Sequence, residues 1–448
     1  MKRTIIGVLG IAMLAVACTA GGGSSAVSAV DTGSGATHSP VTLNVWSFYS
    51  GHEFAQYQAV LSDFQAKYPW ISIKHTPGKS DTDYLRAVNS NTAPDLAISP
   101  GPDNVAKFCS SGAYQDLNPF LQQDGMDVTT IIPPQALRYT SYQGDQCTLP
   151  VLSDAYGIYY NKDMFAAAHI TSPPKTLSEL ETDAKKLTTF NPDGSIKVAG
   201  CDPLNGFYES TALYNGGYSQ GQWYSAPQKS AFGTDPSWAK LLTWQKNFIT
   251  DVYGPDGYAK LRDYLSTLGG PNSEWSSSHG FETGQLAMMM DGEWRTAFIT
   301  TDKSNVNYET APFPVMDGIT GLYGAGQIGG DVIGIPTGAP HPAEAWLLLK
   351  YLATDTGAEE KLAETLGNVP TTYESLKDPK LLATPHFKTF LDIFANPKSG
   401  FKPLTVIGDT DSTLWGNFLS DWEAGKVPDL QQGLNGVAQQ IDQQFQLG

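Results

Sequence analysis

An α/β fold organised in more than one domain is predicted for this chain, on three observations. Strand-like and helix-like segments alternate from about residue 41 to the C-terminus. That region is about 400 residues long, beyond the size at which one simple core is the rule. No short-period repeat and no coiled-coil heptad runs through it. Strands separated by helices call for layers packed on largely parallel sheets.

The elements follow in order. Thr42 to Phe48 is rich in β-branched and aromatic residues and reads as a strand. Phe54, Tyr57, Leu61 and Phe64 recur at helical spacing, so a helix runs from Glu53 to Tyr68 and ends at Pro69. Ile71 to His75 is a second strand, and Asp81 to Asn89 a helix with Asp81 as N-cap. Pro94 leads into a buried strand, Asp95 to Ser99, and Val105 and Phe108 begin a helix stopped at Gly112. Thr176 to Glu179 is a capping box, and Leu177, Leu180, Ala184 and Leu187 make one apolar stripe behind it. After the Asn191–Gly194 turn comes a strand, Ser195 to Ala199. Asp235-Pro236 opens a helix that turns Trp238, Leu241 and Phe248 inward. Ala287 to Met290 is short and apolar, and Ala343 to Leu352 is a strongly apolar helix. Leu430, Leu434, Val437, Ile441 and Phe445 lie on one face of a last helix.

The N-terminus bears on the compartment. Lys2 and Arg3 precede an apolar run, Ile5 to Ala17, too short for a permanent span and suited to a signal peptide over residues 1–17. Ala15-Val16-Ala17-Cys18 resembles a bacterial lipobox, which implies cleavage before Cys18 and lipidation of its thiol; the usual Leu three places before the cysteine is Ala15 here. Residues 18–40 are mostly Gly, Ser, Ala and Thr, the composition of a flexible tether. The expected location is outside the cell, lipid-anchored to the outer face of the cytoplasmic membrane. Without Lys2 and Arg3, 26 basic residues face 45 acidic ones, a formal charge of −19, so no basic face for nucleic acid is expected. Cys109, Cys147 and Cys201 remain after Cys18, an odd number in a disulfide-permissive compartment. Cys109–Cys147 is the favoured pair and Cys147–Cys201 its competitor.

Sequences with catalytic or metal-binding mechanics are largely missing. The seven histidines are scattered, none in HExxH, and no cysteine pair has zinc spacing. Asp409 to Thr413 lacks the Gly and terminal Glu of a calcium loop. Gly324 to Gly329 matches GxGxxG, but a strand ending at Pro336 follows where a dinucleotide site needs a helix. A glycine-rich loop that lets backbone groups approach a ligand is the better reading. No cofactor, no metal and no enzymatic activity are expected.

The chain is 11% aromatic, with ten Trp, 21 Tyr and 19 Phe, several of them in glycine-rich or polar loops. A sugar ring offers an apolar C–H face to an aromatic ring and a rim of hydroxyls to carboxylates, amides and backbone groups. Trp238 and Trp244, on a helix face, read as core. Trp294 follows a strand end, where ligands collect in α/β folds.

Pro150 to Asp163, with its Asp154 and Tyr159-Tyr160-Asn161-Lys162-Asp163 run, resembles the signature of family 1 extracellular solute-binding proteins, the relatives of maltose-binding protein that serve ABC importers. Asn44 to Ser47, Ala93 to Leu96, Pro174 to Thr176, Phe281 to Met288, Gly292 to Trp294 and Asn368 to Pro370 resemble that family's other segments, in order, over about residues 41–448. The resemblance implies a two-lobed periplasmic-binding-protein-like fold of type II, each lobe a mainly parallel sheet flanked by helices, with the ligand cleft between them. One lobe would comprise residues 41–151 and 314–353, the other 152–313 and 354–448. It implies a monomer that captures a sugar or oligosaccharide by hinge closure and hands it to the permease's transmembrane subunits.

Carried over by position, the resemblance implies that Asp154 and Asp103 accept hydroxyl hydrogen bonds, and that Ser50 and His52 line a loop after the first strand. Phe207, Tyr208 and Glu209 would supply an aromatic and an acid, Trp294 and Trp415 would be cleft tryptophans, and Gly329 and Gly330 would present backbone groups. Alternation puts Tyr156 on the same strand face as Asp154. Helix capping competes for Asp103, and a core role for Tyr156, Tyr159 and Phe207. Two alternatives to sugar capture stand beside it. One is a glycosidase with Asp103 and Asp154, or Glu209 and Glu293, as its acid pair. The other is a binding protein for glycerophosphodiester, polyamine or iron, although only His52 and Arg295 offer cationic groups in the candidate loops.

Overall fold

The computed structural model describes residues 30, 32, 37–205, 213–214, 221–268 and 278–447. Residues 1–29 with Cys18, residues 31 and 33–36, and Phe207, Tyr208 and Glu209 lie outside the described residues, so the expected signal peptide and most of the expected tether do too.

Seven strands carry the architecture: β1 (Val41–Ser47), β2 (Ile71–Thr76), β3 (Leu96–Ser99), β4 (Leu149–Asn161), β5 (Met288–Gly292), β6 (Tyr308–Pro312) and β7 (Ile328–Gly334). In the first half of the sheet β1 lies between β2 and β3, parallel to both. β7 then pairs antiparallel with β3 and with the first part of β4. The second part of β4 pairs antiparallel with β5 on one edge and β6 on the other. β4 therefore spans 13 residues and belongs to two sheets at once, Leu149–Ala155 to the first and Tyr156–Asn161 to the second. The parallel pairing expected for both sheets holds among β1, β2 and β3 but not around β4. Chain segments that return to β4 from distant parts of the sequence run against it, and residue pattern alone does not set strand direction. Beyond β5 and β6, parallel bridges at Ala199–Leu286 and Thr176–Val315 extend the second sheet.

Apolar residues seal both sheets. Leu43, Val45, Leu96, Ile98, Val332 and Ile333 are fully buried in the first, and Ile158, Tyr159 and Met288 to Met290 in the second. The continuous apolar runs of β3 and β5 reflect cover on both faces, not alternation. Helices lie where the periodicity puts them, with shifted ends. The first, α1, is Gly51–Lys67; the apolar one is Pro342–Thr354; the last is Leu430–Leu447, with Leu434, Val437 and Ile441 buried. The Thr176–Glu179 capping box is present in full. At Asp81–Asn89 the cap is Ser80, not Asp81, because the Ser80 hydroxyl and the Asp83 carboxylate bond each other's backbone N–H groups. Cys109 and Cys147 form a disulfide with Cα atoms 5.4 Å apart, and Cys201 is buried and free. Among the described residues no helix is long and apolar enough to cross a membrane.

Candidate functional site

Where β4 passes from one sheet to the other, three adjoining cavities form a trough. The middle one, about 290 Å³, is lined by Phe48, Tyr49, Glu53 and Pro100 from the first-sheet side and by Tyr156, Trp294 and Phe298 from the second, with Asp154, Asp331 and Asn368 on its floor. A second, about 200 Å³, shares Pro100, Asp154 and Tyr156 with it and adds Asp103, Gly329, Gly330 and Lys402. A third, about 410 Å³, shares Phe298 and adds Ser50, His52, Thr301 and Asp302. Ser50, His52, Asp103, Asp154, Tyr156, Trp294, Gly329 and Gly330, scattered in sequence, thus meet along one trough.

Strand parity explains the middle wall. Asp154 and Tyr156 are two residues apart on β4 and both reach the cavity, whereas Tyr159 is fully buried and donates its hydroxyl to the Gly292 carbonyl at 2.8 Å. Tyr156 pairs with Gly292 across the β4–β5 ladder, which brings Trp294 beside it. Trp294 is the N-cap residue of α2 (Arg295–Thr301). A Cβ on Gly292 would lie 2.3 Å from its indole, so the ring sits directly on backbone. Gly329 stands opposite Asp154 in the β4–β7 ladder, and its carbonyl accepts the Ser153 hydroxyl at 2.8 Å. Gly330 has φ of 137° and no room for a side chain, since a Cβ would meet the Leu152 carbonyl oxygen at 2.3 Å.

The floor is acidic and dry. Asp154 is 7% exposed, Asp331 5% and Glu293 fully buried. Burial pushes the Asp154 carboxyl up to about 7, against the pull of the Asn368 amide that donates to it. Burial also raises Asp331 and Glu293, and the neighbouring charge of Asp154 raises both further. Asp331 accepts the Tyr49 hydroxyl, a phenol held well above its usual range by burial and by Asp331 itself.

Arg295 and Lys402, the long basic side chains beside the trough, are committed to acids. Arg295 is fully buried with its Nε 2.6 Å from Asp291. Lys402, 6% exposed, bonds Asp411 and lies 3.6 Å from Asp103. Asp103 is not a helix cap: the helix Val105–Ser110 starts after Asn104, and the Asp103 carboxylate faces Lys402 and the Ser412 hydroxyl at 3.4 Å.

Trp415 is corrected. It lies on helix α3 (Thr410–Glu423), buried against Phe232 with ring centroids 4.1 Å apart, and its Nε1 donates to the Tyr214 carbonyl at 3.1 Å. It lines none of the three cavities, because the helix turns that face into an aromatic core with Trp238 and Phe418. Tyr49, Asp331, Asn368 and Lys402 were missed from the sequence. A lone acid inside the apolar run of β7 was the available signal for Asp331; Asn368 sat unremarked in the Asn368–Pro370 turn.

Comparison with known proteins places this geometry. Residues 59–389 match the family described as bacterial extracellular solute-binding protein. A Brucella abortus protein named as a binding protein is 24% identical over 315 residues, 68% of this chain and 70% of that one. Among solved structures, CpMnBP1 with mannotriose bound superposes with a TM-score of 0.80 at 23% identity, over 90% of this chain and 100% of that one. The GacH receptor of Streptomyces glaucescens, solved unliganded and with acarbose, gives 0.72 at 18% identity, over 91% and 99%. Fold and family match thus agree, and the chain belongs to the bacterial extracellular solute-binding proteins.

Proposed function

We propose that this protein captures a carbohydrate outside the cytoplasmic membrane and delivers it to the transmembrane subunits of an ABC importer. The observation that carries this reading is the middle cavity, where two aromatic rings, Tyr156 and Trp294, and the carboxyl of Asp154 face one space. Rings accept the C–H face of a sugar, and a buried carboxylate accepts hydroxyl hydrogen bonds more strongly than an exposed one. Asp103, Ser50, His52 and the backbone at Gly329 and Gly330 would complete the contacts from the adjoining cavities, with Phe207, Tyr208 and Glu209, outside the described residues, as further contacts. The sugars named with CpMnBP1 and GacH support the same class. The pairing of Arg295 and Lys402 to acids, which leaves His52 to meet an anion, argues against a phosphate-bearing solute such as a glycerophosphodiester.

In this reading residues 41–151 with 314–353 form one lobe and residues 152–313 with 354–448 the other, and closure about the shared strand β4 grips the ligand. Cleavage before Cys18 and its lipidation hold a monomeric binding protein at the membrane's outer face. The test is a thermal-shift screen against mono-, di- and oligosaccharides, glycerophosphodiesters and polyamines. Saturation at a hundred times Kd stabilises by about 2.7 kcal/mol, a measurable rise in Tm. A rise with a non-sugar solute and none with any sugar overturns the reading. Mass measurement of the membrane-extracted protein checks Cys18.

A further inference from the structure

The two ends of the trough differ. At the Asp103 end its walls touch. Asp103 and Asn104 follow β3 on the first-sheet side. Lys402, Gly408 and Asp409 come from the opposite wall and lead into α3, which is anchored by Trp415 against Trp238. Lys402 Nζ lies 3.6 Å from Asp103 Oδ1, and the Ser412 hydroxyl donates to Asp103 Oδ2 at 3.4 Å. Behind them Asn104, 4% exposed, is held from both walls. Its Nδ2 donates to Asp81 Oδ2 at 2.7 Å, and its Oδ1 accepts the Asp409 N–H at 3.3 Å. Gly408, with φ of 64°, permits this close approach, since a Cβ there would meet Asn104 Oδ1 at 2.1 Å.

The other end is wet and wide. Ser50, Gly51 and His52 on one wall and Thr301 on the other are exposed. From the Asp103 end outward the three cavities grow from about 200 Å³ through about 290 Å³ to about 410 Å³. In a linear carbohydrate a terminal unit keeps the hydroxyl that an internal unit spends in its glycosidic bond. A carboxylate at the closed end is placed to accept from that hydroxyl, and a site built to bond a hydroxyl discriminates against a ligand that lacks it. A chain continuing past Asp103 would run into Lys402 and the Asn104–Gly408 contact behind it.

Building on the carbohydrate-capture reading, we propose that the trough is blind at Asp103 and open at His52, so that it reads one terminus of a linear carbohydrate. The terminal unit lies against Asp103, and the rest of the chain leaves past His52 and Thr301. Asn104 and Gly408, which line none of the three cavities, thereby set which carbohydrates fit, because they fix where the chain must end.

The test uses the mature protein. Titration calorimetry compares mannotriose, maltotriose and the best linear sugar of the thermal-shift screen, each in three forms: free, capped at the reducing end as a p-nitrophenyl glycoside, and capped at the opposite end with a 4,6-O-benzylidene group. For a sugar that binds, one cap weakens affinity less than about threefold and the other about a hundredfold or more. Two caps tolerated alike, or rejected alike, overturn the proposal. The meeting of the walls is read without any ligand. A Cβ on Gly408 would lie 3.2 Å from Asn104 Cγ, the place a cysteine at 104 can give its sulfur. The Asn104→Cys, Gly408→Cys double variant therefore forms a disulfide in ligand-free protein, detected by peptide mapping without reductant. A folded double variant without that bond overturns the proposal. Should the double variant not fold, the two caps on wild type decide alone. If wild type binds no sugar, the capture reading fails by itself, and the disulfide still decides whether the trough is closed at Asp103.

Discussion

The ring of Tyr156 meets the indole of Trp294 edge-on, with centroids 5.5 Å apart and planes at 90°. A T-shaped contact occupies at most one face of the indole and leaves the opposite face available for stacking. Gly292 supports the same indole from below.

Replacing Trp294 with Ala therefore removes a stacking surface and little else. Sugar affinity is expected to fall by about 2–3 kcal/mol, thirty- to a hundred-and-fifty-fold, with Tm within a few degrees of wild type. Titration calorimetry and a thermal melt decide it. A collapse of Tm would mean that the indole is core.

Gly292→Ala keeps the indole but drives a methyl into it. A Cβ 2.3 Å from the ring forces Trp294 aside, so affinity falls about tenfold or more although no contact residue is deleted. Unchanged affinity would mean that the position of the ring does not matter for binding.

Asp154 gives stability and affinity opposite pH slopes. Its carboxyl titrates near 7 in the folded chain and near about 3.9 when unfolded. The stability it lends is complete below about pH 4 and is lost as pH climbs through about 7, a loss of order 4 kcal/mol in the ligand-free protein. Hydroxyls donating to the carboxylate favour its ionised form, so sugar affinity instead falls as pH drops from about 8 to 5. Asp154→Asn should flatten both trends; melts and titrations across that range show whether it does.

Lys402 is buried against the fully buried Asp411. Lys402→Met leaves that acid without its cation and is expected to destabilise by about 3 kcal/mol, more than Trp294→Ala does. Denaturant unfolding of the two variants side by side tests the order.

The Cys109–Cys147 bond closes a loop with a sequence separation of 38. Chain entropy puts its stabilisation at about 4 kcal/mol, so the Cys109→Ala, Cys147→Ala double variant should melt well below wild type. Cys201 should react with a thiol reagent only after unfolding, because it is fully buried.

Where a pattern is local, it was legible. Helical spacing located α1 and the Pro342–Thr354 helix, the Thr176–Glu179 cap was readable from two residues, and strand alternation placed Tyr156 with Asp154 and Tyr159 away from it. What depends on partners distant in sequence was not. The antiparallel approach of β7 to β4 joins segments about 170 residues apart, and the Asn368 amide reaches Asp154 and Glu293 across separations of 214 and 75. Trp415 shows the same physics as Trp238: a tryptophan on the apolar face of a helix packs into the core, and the two rings meet there 5.1 Å apart.

Because a single ribbon, β4, is shared by both sheets, the two halves are joined without slack at that point. Any turning there must be taken up as twist spread over pleated backbone, and its amplitude is limited by the ladders on either side. The same continuity makes the spot intolerant of length change: one extra residue ahead of Asp154 would invert every side chain after it and point Asp154 and Tyr156 away from the trough.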